Sequence, residues 1–415
     1  MRNSGVDAHL FLFSDEGYSG EKFKKNIDGI GYNVSNNPQY NPEWDTWEID
    51  KWSKFIHRLP VPNGMEAILG RPDKLKLRVK REYIIKSISK FNIFIGAGIA
   101  PSLFRTINKK LTIFYPYSTG IEWVNEPGHL KKIKKLNLES ITRRYIRKQQ
   151  IEGIRESKIR LLLSGEGPMQ KAYDENKISF TRILMPQYYN LENVNMGYGD
   201  QVVSNLIKST EKFQLKIFSH MRQFWKFDAK YYLETDFKSI SKNNDWLVKG
   251  FHKFIKKYPL SKPVLIMVEW GKDIENTKKL IKELNLQNNI IWLPLLSRKQ
   301  ISSIISLCDI ICGDFTYSKG VIYGSCAYEA LGGGKPLMQT FNFDKGEYKK
   351  LFNHEPPEMM DVKSIDDIYL NIKKIYSSEN LKNEIGRKSL TWFKKNNGQK
   401  LANDWISLIE NLYKK

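Results

Sequence analysis

The sequence predicts an α/β protein made of two doubly wound, Rossmann-like domains. Its 415 residues exceed the roughly 100–200 residues of a typical domain, so two or three domains are expected. Short apolar runs of strand length alternate with amphipathic stretches of helix length along the whole chain, which is typical of parallel sheets covered by helices. After the aperiodic stretch 186–200, the alternation begins again at Leu215. We therefore place the boundary between two sheets near residue 200.

The hydrophobic pattern predicts the individual elements in chain order. In the first half it predicts strands at 8–13, 91–95, 111–115 and 182–185 and a helix at 139–156, whereas 159–163 fits either the last turn of that helix or a buried strand. In the second half it predicts strands at 215–219, 264–268, 290–292, 310–312 and 336–339. The accompanying helices are predicted at 245–257, 275–284, 298–307 and 326–331, with a last helix at 389–413. Crossovers of this length build a doubly wound sheet with right-handed connections.

Composition excludes several classes of protein. Hydrophobic residues make up 41% and aromatic residues 13% of the chain, more than a disordered chain carries. The longest apolar runs have strand length, so no membrane-spanning helix is expected, and residues 1–9 lack the apolar core of a signal peptide. We therefore expect a cytoplasmic protein.

The net charge of +22 indicates an anionic partner, which could be nucleic acid, a membrane surface or a phosphorylated ligand. The lysines are spread over the whole chain and fall mostly on helix faces, as at 278–282, which argues against nucleic acid. Cys308, Cys312 and Cys326 are too few for a disulfide framework, and no second pair or His cluster completes a metal site, so we expect small core residues and no metal.

The most informative segment runs from residue 320 to residue 337. Gly320 and Gly324 precede the predicted helix, so backbone N–H groups and the helix dipole can meet a diphosphate there. Glu329 lies about one turn into that helix, where a carboxylate can accept hydrogen bonds from two ribose hydroxyls. The competing interpretation of Glu329 is an ordinary glutamate on a solvated helix face.

The pattern Gly-x4-Glu-Ala-Leu-x2-Gly-Lys-Pro from Gly324 to Pro336, preceded by 291–294 and 308–310, resembles the nucleotide-binding domain of GT-B glycosyltransferases of the retaining family-4 type. The resemblance is strong over residues 215–345 and weak before 200. It implies two Rossmann-like domains that face each other across a cleft. These would be an acceptor-side domain at 1–200, a nucleotide-sugar domain at 201–395, and a helix at 396–415 that packs back across the N-terminal domain.

The resemblance also implies an activity. A GT-B enzyme of this type transfers a sugar, commonly a hexose, from a nucleotide-diphosphate-sugar donor to an acceptor hydroxyl with retention, without a metal or other cofactor. We expect a bacterial-type enzyme of surface polysaccharide or glycoconjugate synthesis, with a glycan or lipid-linked acceptor and no nucleic acid partner.

The same resemblance assigns the site residues. Arg222 and Lys242 would neutralise the leaving diphosphate, although the spacing between them is long and Lys226 or Lys238 could replace Lys242. The expected donor-binding residues are Glu329, Gly320, Gly324, Ile322, Tyr323, His220 and Pro294.

Acceptor-side candidates lie in the first half. Gly96 and Gly98 form a short glycine turn that we interpret as lining the cleft, and His129 lies on a loop. In the helix 139–156, Ile141 and Tyr145 share one side, while a basic side is formed by Arg143, Arg144, Arg147 and Lys148. A lipid-linked acceptor would bring this basic side to the inner face of the plasma membrane, whereas a solvated face is the alternative.

Two features depart from the family pattern. The first acid of the family's Glu-x7-Glu motif would fall at Val321, so the acid that lies near the donor sugar in the family is absent from this sequence. Residues 3–10 resemble the end of the first helix and the second strand, so the family's first strand and glycine turn are missing, and we favour a truncated chain or a displaced start codon. The alternatives to an enzyme are a non-catalytic GT-B-like binding subunit and, less favoured, a basic nucleic-acid-binding protein.

Overall fold

Parallel sheets covered by helices make up the structure. The computed structural model describes residues 1–13, 53–59, 81–116, 137–163, 167–185, 200–226, 241–317 and 323–414, with the isolated positions 121, 130, 133 and 134. Within these residues the strands form three sheets of two, four and six strands, and every strand pair is parallel.

The described elements are numbered in chain order. The strands are β1 (Leu10–Phe13), β2 (Ile56–Leu59), β3 (Ile95–Gly96), β4 (Ile113–Phe114), β5 (Ile159–Leu162), β6 (Thr181–Arg182), β7 (Leu215–Ser219), β8 (Pro263–Val268), β9 (Ile290–Leu293), β10 (Ile310–Cys312), β11 (Leu337–Gln339) and β12 (Met360–Asp361). The helices are α1 (Arg81–Ile88), α2 (Ala100–Thr106), α3 (Leu138–Glu156), α4 (Pro168–Glu175), α5 (Gln201–Thr210), α6 (Asn244–Lys257), α7 (Ile274–Glu283), α8 (Arg298–Leu307), α9 (Ser325–Gly332), α10 (Lys345–Phe352), α11 (Ile365–Ser377), α12 (Glu379–Asn396) and α13 (Gly398–Tyr413).

The six-stranded sheet occupies the second half of the chain and has helices on both faces. All six side chains of its interior strand β8 are buried, as expected for a parallel strand covered on both sides. Val264 and Ile266 face a core layer that includes α8 and α9, whereas Leu265 and Met267 face a layer that includes α6 and α11. The strands and helices predicted between residues 215 and 339 agree with the observed ones to within a residue or two at each end.

The strand order of this sheet is β12-β11-β10-β7-β8-β9. The chain runs outward from β7 through β8 to β9, then returns to β10 on the other side of β7 and continues outward to β12. The order therefore reverses between β7 and β10, where Ile310 pairs with Ile217. In open parallel sheets, ligands bind in the crevice outside the carboxyl ends of the strands at such a reversal.

The four-stranded sheet has the order β3-β4-β5-β6 and belongs to the first half of the chain. The strand predicted at 91–95 is wrong in position, since β3 begins at Ile95 and, as an edge strand, pairs over only two residues. The strand predicted at 182–185 is likewise displaced to β6. The ambiguous segment 159–163 forms strand β5, and its Ile159, Leu161 and Leu162 side chains pack in the core.

Helix α3 matches its predicted extent but faces the core with an unexpected side. Ile141 and Tyr145 are 60% and 58% exposed, whereas Arg143 from the expected basic side is only 4% exposed. Gly153 sets this orientation together with the buried Ile residues of the helix, because a Cβ at Gly153 would lie 2.3 Å from the Pro101 carbonyl oxygen of α2. The expectation of a fully exposed basic side is therefore wrong at Arg143.

The C-terminal stretch is two helices rather than the single predicted helix. Asn397 is extended and its side chain accepts a hydrogen bond from the Gly398 N–H, while Gly398 has a φ of +57°, so the Asn-Gly pair ends α12 and begins α13. Trp405 of α13 makes an edge contact with Tyr115 at a centroid distance of 5.2 Å, and the Asn397 amide donates to the Met185 carbonyl at 3.0 Å. Helix α13 therefore packs against the half of the chain that holds the four-stranded sheet.

None of the helices in the described ranges is long and apolar enough to cross a bilayer. The aperiodic stretch 186–199, where the domain boundary was placed, lies outside the described residues, as does Val321.

Candidate functional site

A cluster of charged side chains lies at the carboxyl ends of β7 and β10, where the strand order reverses. His220 and Arg222 follow β7, and Asp314 follows β10 one residue after Gly313. Lys242 precedes helix α6, and its backbone N–H donates to the Phe224 carbonyl at 2.7 Å. Helix α9 begins at the same edge of the sheet.

Glu329 is the centre of a buried ion-pair network. Its Oε2 lies 2.7 Å from His220 Nε2, and its Oε1 lies 3.1 Å from Arg298 Nη1. Glu329 is 4% exposed, so the interpretation as a glutamate on a solvated helix face is wrong. Arg298 is the first residue of α8, whose start is fixed by a capping box between Ser297 and Gln300. A carboxylate has about four lone-pair positions, so Glu329 can still accept hydrogen bonds from ligand hydroxyls.

His220 is held as a buried cation. Burial by itself lowers the pKa of His220, but the neighbouring Cys326 and the Glu329 carboxylate outweigh burial and raise that pKa to about 10. The ring stacks on Phe218 at a centroid distance of 4.9 Å, which fixes its plane. The Nδ1 atom is buried with no hydrogen-bond partner among the described residues. The network is therefore two cations around one carboxylate.

The same cluster contains the side chains most suited to a metal within the described ranges. The ligand atoms of His220, Cys326 and Glu329 lie within 4.8 Å of one another, and zinc accepts all three types. Ligation would require His220 to lose its proton, whereas Glu329 could bind a metal through Oε2 and keep Arg298 on Oε1. In the structure His220 Nε2 and Arg298 Nη1 both contact Glu329, so these three side chains form an ion-pair network.

Lys242 and Asp314 form the second charged group of the site. Lys242 Nζ is paired with Asp314 Oδ2, and the two side chains are 20% and 14% exposed. Asn243 holds the lysine in place, since its side-chain amide donates to the Phe315 carbonyl at 2.5 Å. A Cβ added to Gly324, the residue before α9, would lie 3.1 Å from Asp314 Oδ2. The Asp314 carboxylate therefore contacts Lys242 and also adjoins the N-terminus of α9.

Sequence reasoning missed Asp314. The available signal was its position, because a polar residue directly after a buried strand of a parallel sheet lies at the ligand-binding edge. Gly313, the residue before Asp314, packs closely against Gln339, since a Cβ at Gly313 would lie 2.4 Å from Gln339 Oε1.

Arg222 lies on a turn that is locked against the loop after β8. The Gln223 N–H donates to the Trp270 carbonyl at 2.8 Å, and the indole N–H of Trp270 donates to the His220 carbonyl at 2.9 Å. Gly271 has a φ of +109°, and a Cβ there would lie 2.4 Å from the Gln223 carbonyl oxygen, so only glycine fits. The Arg222 guanidinium lies 5.0 Å from the Phe224 ring centroid and has no carboxylate partner within the described part of the chain.

The remaining residues predicted for the site lie in different surroundings. Tyr323 is 5% exposed and packs in an aromatic cluster with Tyr328 and Trp392, so its side chain serves packing. Pro294 is exposed just after β9, and Lys226 is exposed with its Nζ 3.2 Å from Asn276 Oδ1. The positions outside the described residues are Gly320, Ile322, His129 and Lys238.

Local packing and backbone conformation account for glycine at positions 96 and 98. A Cβ at Gly96 would lie 2.7 Å from the Cβ of Ala100, and Gly98 has a φ of +59°. The Gly98 carbonyl accepts a hydrogen bond from Gln150 at 2.7 Å. Their acceptor-side role stays a prediction.

Comparison with solved structures identifies the architecture. HepE from Anabaena, solved in complex with UDP, matches with a TM-score of 0.53 and 10% identity over 88% of each chain. WaaG, a glycosyltransferase involved in lipopolysaccharide biosynthesis, matches with a TM-score of 0.51 and 12% identity over 86% of this chain and 87% of WaaG. Both are GT-B glycosyltransferases. This chain has the GT-B fold.

A third GT-B protein, the UDP-forming α,α-trehalose-phosphate synthase from Burkholderia xenovorans, matches with a TM-score of 0.52 and 10% identity over 84% of this chain and 82% of that one. The predicted fold class is thus confirmed. Neither a protein-family model nor a curated protein matches the sequence. The charged cluster lies at the carboxyl edge of the six-stranded sheet of this fold.

Proposed function

We propose that the protein is a glycosyltransferase that takes a sugar from a nucleotide-diphosphate-sugar donor. The observation that carries the proposal is that Lys242, the N-terminus of α9 and the buried Glu329 lie at the strand-order reversal, with Arg222 three residues after the end of β7. Cations and free helix amides suit a diphosphate, and a buried carboxylate suits the hydroxyls of a ribose. The UDP and UDP-glucose complexes of HepE, which shares the fold, support the same substrate class.

The proposed chemistry is electrostatic. As the bond between the sugar's anomeric carbon and the diphosphate oxygen breaks, the electron pair stays with the diphosphate, and the acceptor oxygen bonds to the anomeric carbon and loses its proton. Arg222, Lys242 and the first amides of α9 would stabilise the charge that develops on the leaving diphosphate. Gly324 has no side chain to cap α9, and no described side chain caps this helix, so its first amides can bind the phosphate oxygens. We propose that these groups act without a metal and that the sugar keeps its anomeric configuration.

Nucleotide titration tests this assignment. We expect at least one of UDP, GDP and ADP to bind in calorimetry, with an affinity that EDTA leaves unchanged. Lys242→Ala should weaken binding about tenfold or more, because it removes a charge-assisted contact. Lys382→Ala is the matched control, since Lys382 has the same 20% exposure and pairs with Asp309 at the opposite end of β10. Absence of binding by all three nucleotides, or equal effects of the two variants, would contradict the proposal.

A non-catalytic binding subunit is the second candidate. It is favoured by Glu329, whose two oxygens are both engaged by protein cations. The two candidates differ in turnover. An enzyme releases the nucleoside diphosphate from the sugar nucleotide when a glycan or lipid extract supplies the acceptor, whereas a binding subunit retains affinity and releases none.

We further propose a glycan or lipid-linked acceptor and peripheral contact with an anionic membrane at its cytoplasmic face. Helix α3 supports this proposal, because the exposed Ile141 and Tyr145 lie beside the exposed Arg144 and Lys148. Apolar and basic residues on one exposed helix surface suit an interface with anionic lipids. A role in surface polysaccharide or glycoconjugate synthesis would follow.

A further inference from the structure

Asp314 introduces a negative charge where the proposed function places a diphosphate. Its Oδ2 pairs with Lys242 Nζ and also lies 3.1 Å from the position of a Cβ at Gly324. A phosphate group that contacts both Lys242 and the first amides of α9 therefore also comes next to the Asp314 carboxylate. The proposed binding of the donor gives no role to this carboxylate.

The repulsion between the Asp314 carboxylate and a bound phosphate depends on the charge of that phosphate. In a sugar nucleotide the terminal phosphate is esterified and carries one negative charge, whereas in a free nucleoside diphosphate it has a second ionisation near pH 6 and carries close to two at pH 7. Asp314 is 14% exposed, so water screens it only in part. One added charge within about 6–8 Å of such a carboxylate changes affinity by about tenfold.

We propose that Asp314 makes the site discriminate against the free nucleoside diphosphate relative to the intact sugar donor. The inference rests on the proposed function and deepens it. Before transfer, Lys242 and α9 hold a phosphate with one charge beside Asp314. After the sugar leaves, the terminal phosphate gains a charge and is repelled by the same carboxylate, which favours release of the product. Asp314 thus limits product inhibition while the cations still stabilise the leaving group.

Glu329 does not have this effect. It lies in α9 beyond the first turn, and its charge is surrounded by His220 and Arg298. Among the described residues, Lys242 is the one cation that forms an ion pair with Asp314. A bound phosphate would share that lysine with Asp314. The discrimination is therefore assigned to Asp314.

The test compares two ligands in three proteins. The probes are whichever of UDP, GDP and ADP binds the wild-type protein, together with its glucose ester, titrated at pH 7.5 into the wild type, Asp314→Asn and Asp309→Asn. Asp309 is the matched control, since it lies at the other end of β10, is 19% exposed and pairs with Lys382 at 2.7 Å. We expect Asp314→Asn to bind both ligands more tightly and the free diphosphate more so, which shifts the ratio of the two dissociation constants by about fivefold or more.

The experiment measures the ratio of the dissociation constants of the two ligands, because a change in stability or in overall packing would alter both affinities alike. Asp314→Ala should give the same ratio as Asp314→Asn, and either variant serves if the other folds poorly. A ratio within about twofold of wild type, or an equal shift in Asp309→Asn, overturns the inference while leaving the proposed function intact. Absence of binding by all three nucleotides in the wild type would instead overturn the proposed function.

Discussion

Removal of the Glu329 carboxylate tests the buried network most directly. In Glu329→Ala, His220 would remain 94% buried without its acid partner, since its own exposure is 6%. Breaking a buried ion pair by removing one partner costs about 3–5 kcal/mol. His220 can shed its proton in the variant, which places the expected loss near the lower end, at about 3 kcal/mol. Arg298 is 32% exposed and can regain water, so its share is small.

Glu329→Gln separates charge from shape. The amide keeps an acceptor oxygen for His220 or Arg298 but loses the charge, so we expect a smaller loss of about 1.5–3 kcal/mol in the free energy of unfolding. Urea denaturation at pH 7, followed by far-ultraviolet circular dichroism, measures both variants. Glu384→Gln is the control, because Glu384 is 49% exposed on α12 and should change stability by no more than about 0.5 kcal/mol.

One result would refute the stabilising role of the network formed by Glu329, His220 and Arg298. If Glu329→Ala unfolds within about 0.5 kcal/mol of wild type, the carboxylate does not stabilise His220 in solution. Nucleotide titration of the folded Glu329→Gln variant then tests the ribose role separately, and we expect affinity to fall by up to about tenfold. Wild-type affinity in that variant would exclude a charge-assisted ribose contact while leaving the stability result unaffected.

Two further predictions concern pH and membranes. Because the pKa of His220 is raised from 6.5 to about 10 in the folded protein, its stabilisation is complete below about pH 6.5 and is lost as the pH rises towards 10. The difference in the free energy of unfolding between wild type and His220→Asn should therefore shrink over this range, and a constant difference in alkaline denaturation curves would contradict the pairing. The double substitution of Arg144 and Lys148 by Gln should weaken binding to vesicles rich in phosphatidylglycerol by about 2 kcal/mol, whereas the same change at the exposed Lys394 and Lys395 of α12 should have little effect in a sedimentation assay.

Local sequence pattern determined the strands and α-helices between residues 215 and 339. A continuous apolar run bounded by turn residues, such as Pro263–Val268, favours a strand buried on both faces, and β7, α8 and β10 begin and end at the predicted residues. The pattern around Gly324 and Glu329 also located the start of α9. These features depend on neighbouring residues, which a linear sequence displays directly.

Periodicity in α3 was less informative, for a physical reason. It showed an apolar and a basic side but could not show which side the rest of the protein covers. Close packing at Gly153 against Pro101 turned Arg143 inward and left Ile141 exposed. That decision depends on a neighbouring helix that is distant in sequence.

The charged site was decided by tertiary structure in the same way. His220 and Glu329 are 109 residues apart, and Lys242 and Asp314 are 72 residues apart. These pairs form because β10 returns beside β7, which brings the residues after both strands to one edge of the sheet. The sequence by itself marked Glu329, His220 and Lys242 as candidates, whereas their burial, their pairing and the part played by Asp314 follow only from the strand order, since no local pattern encodes which strands become neighbours.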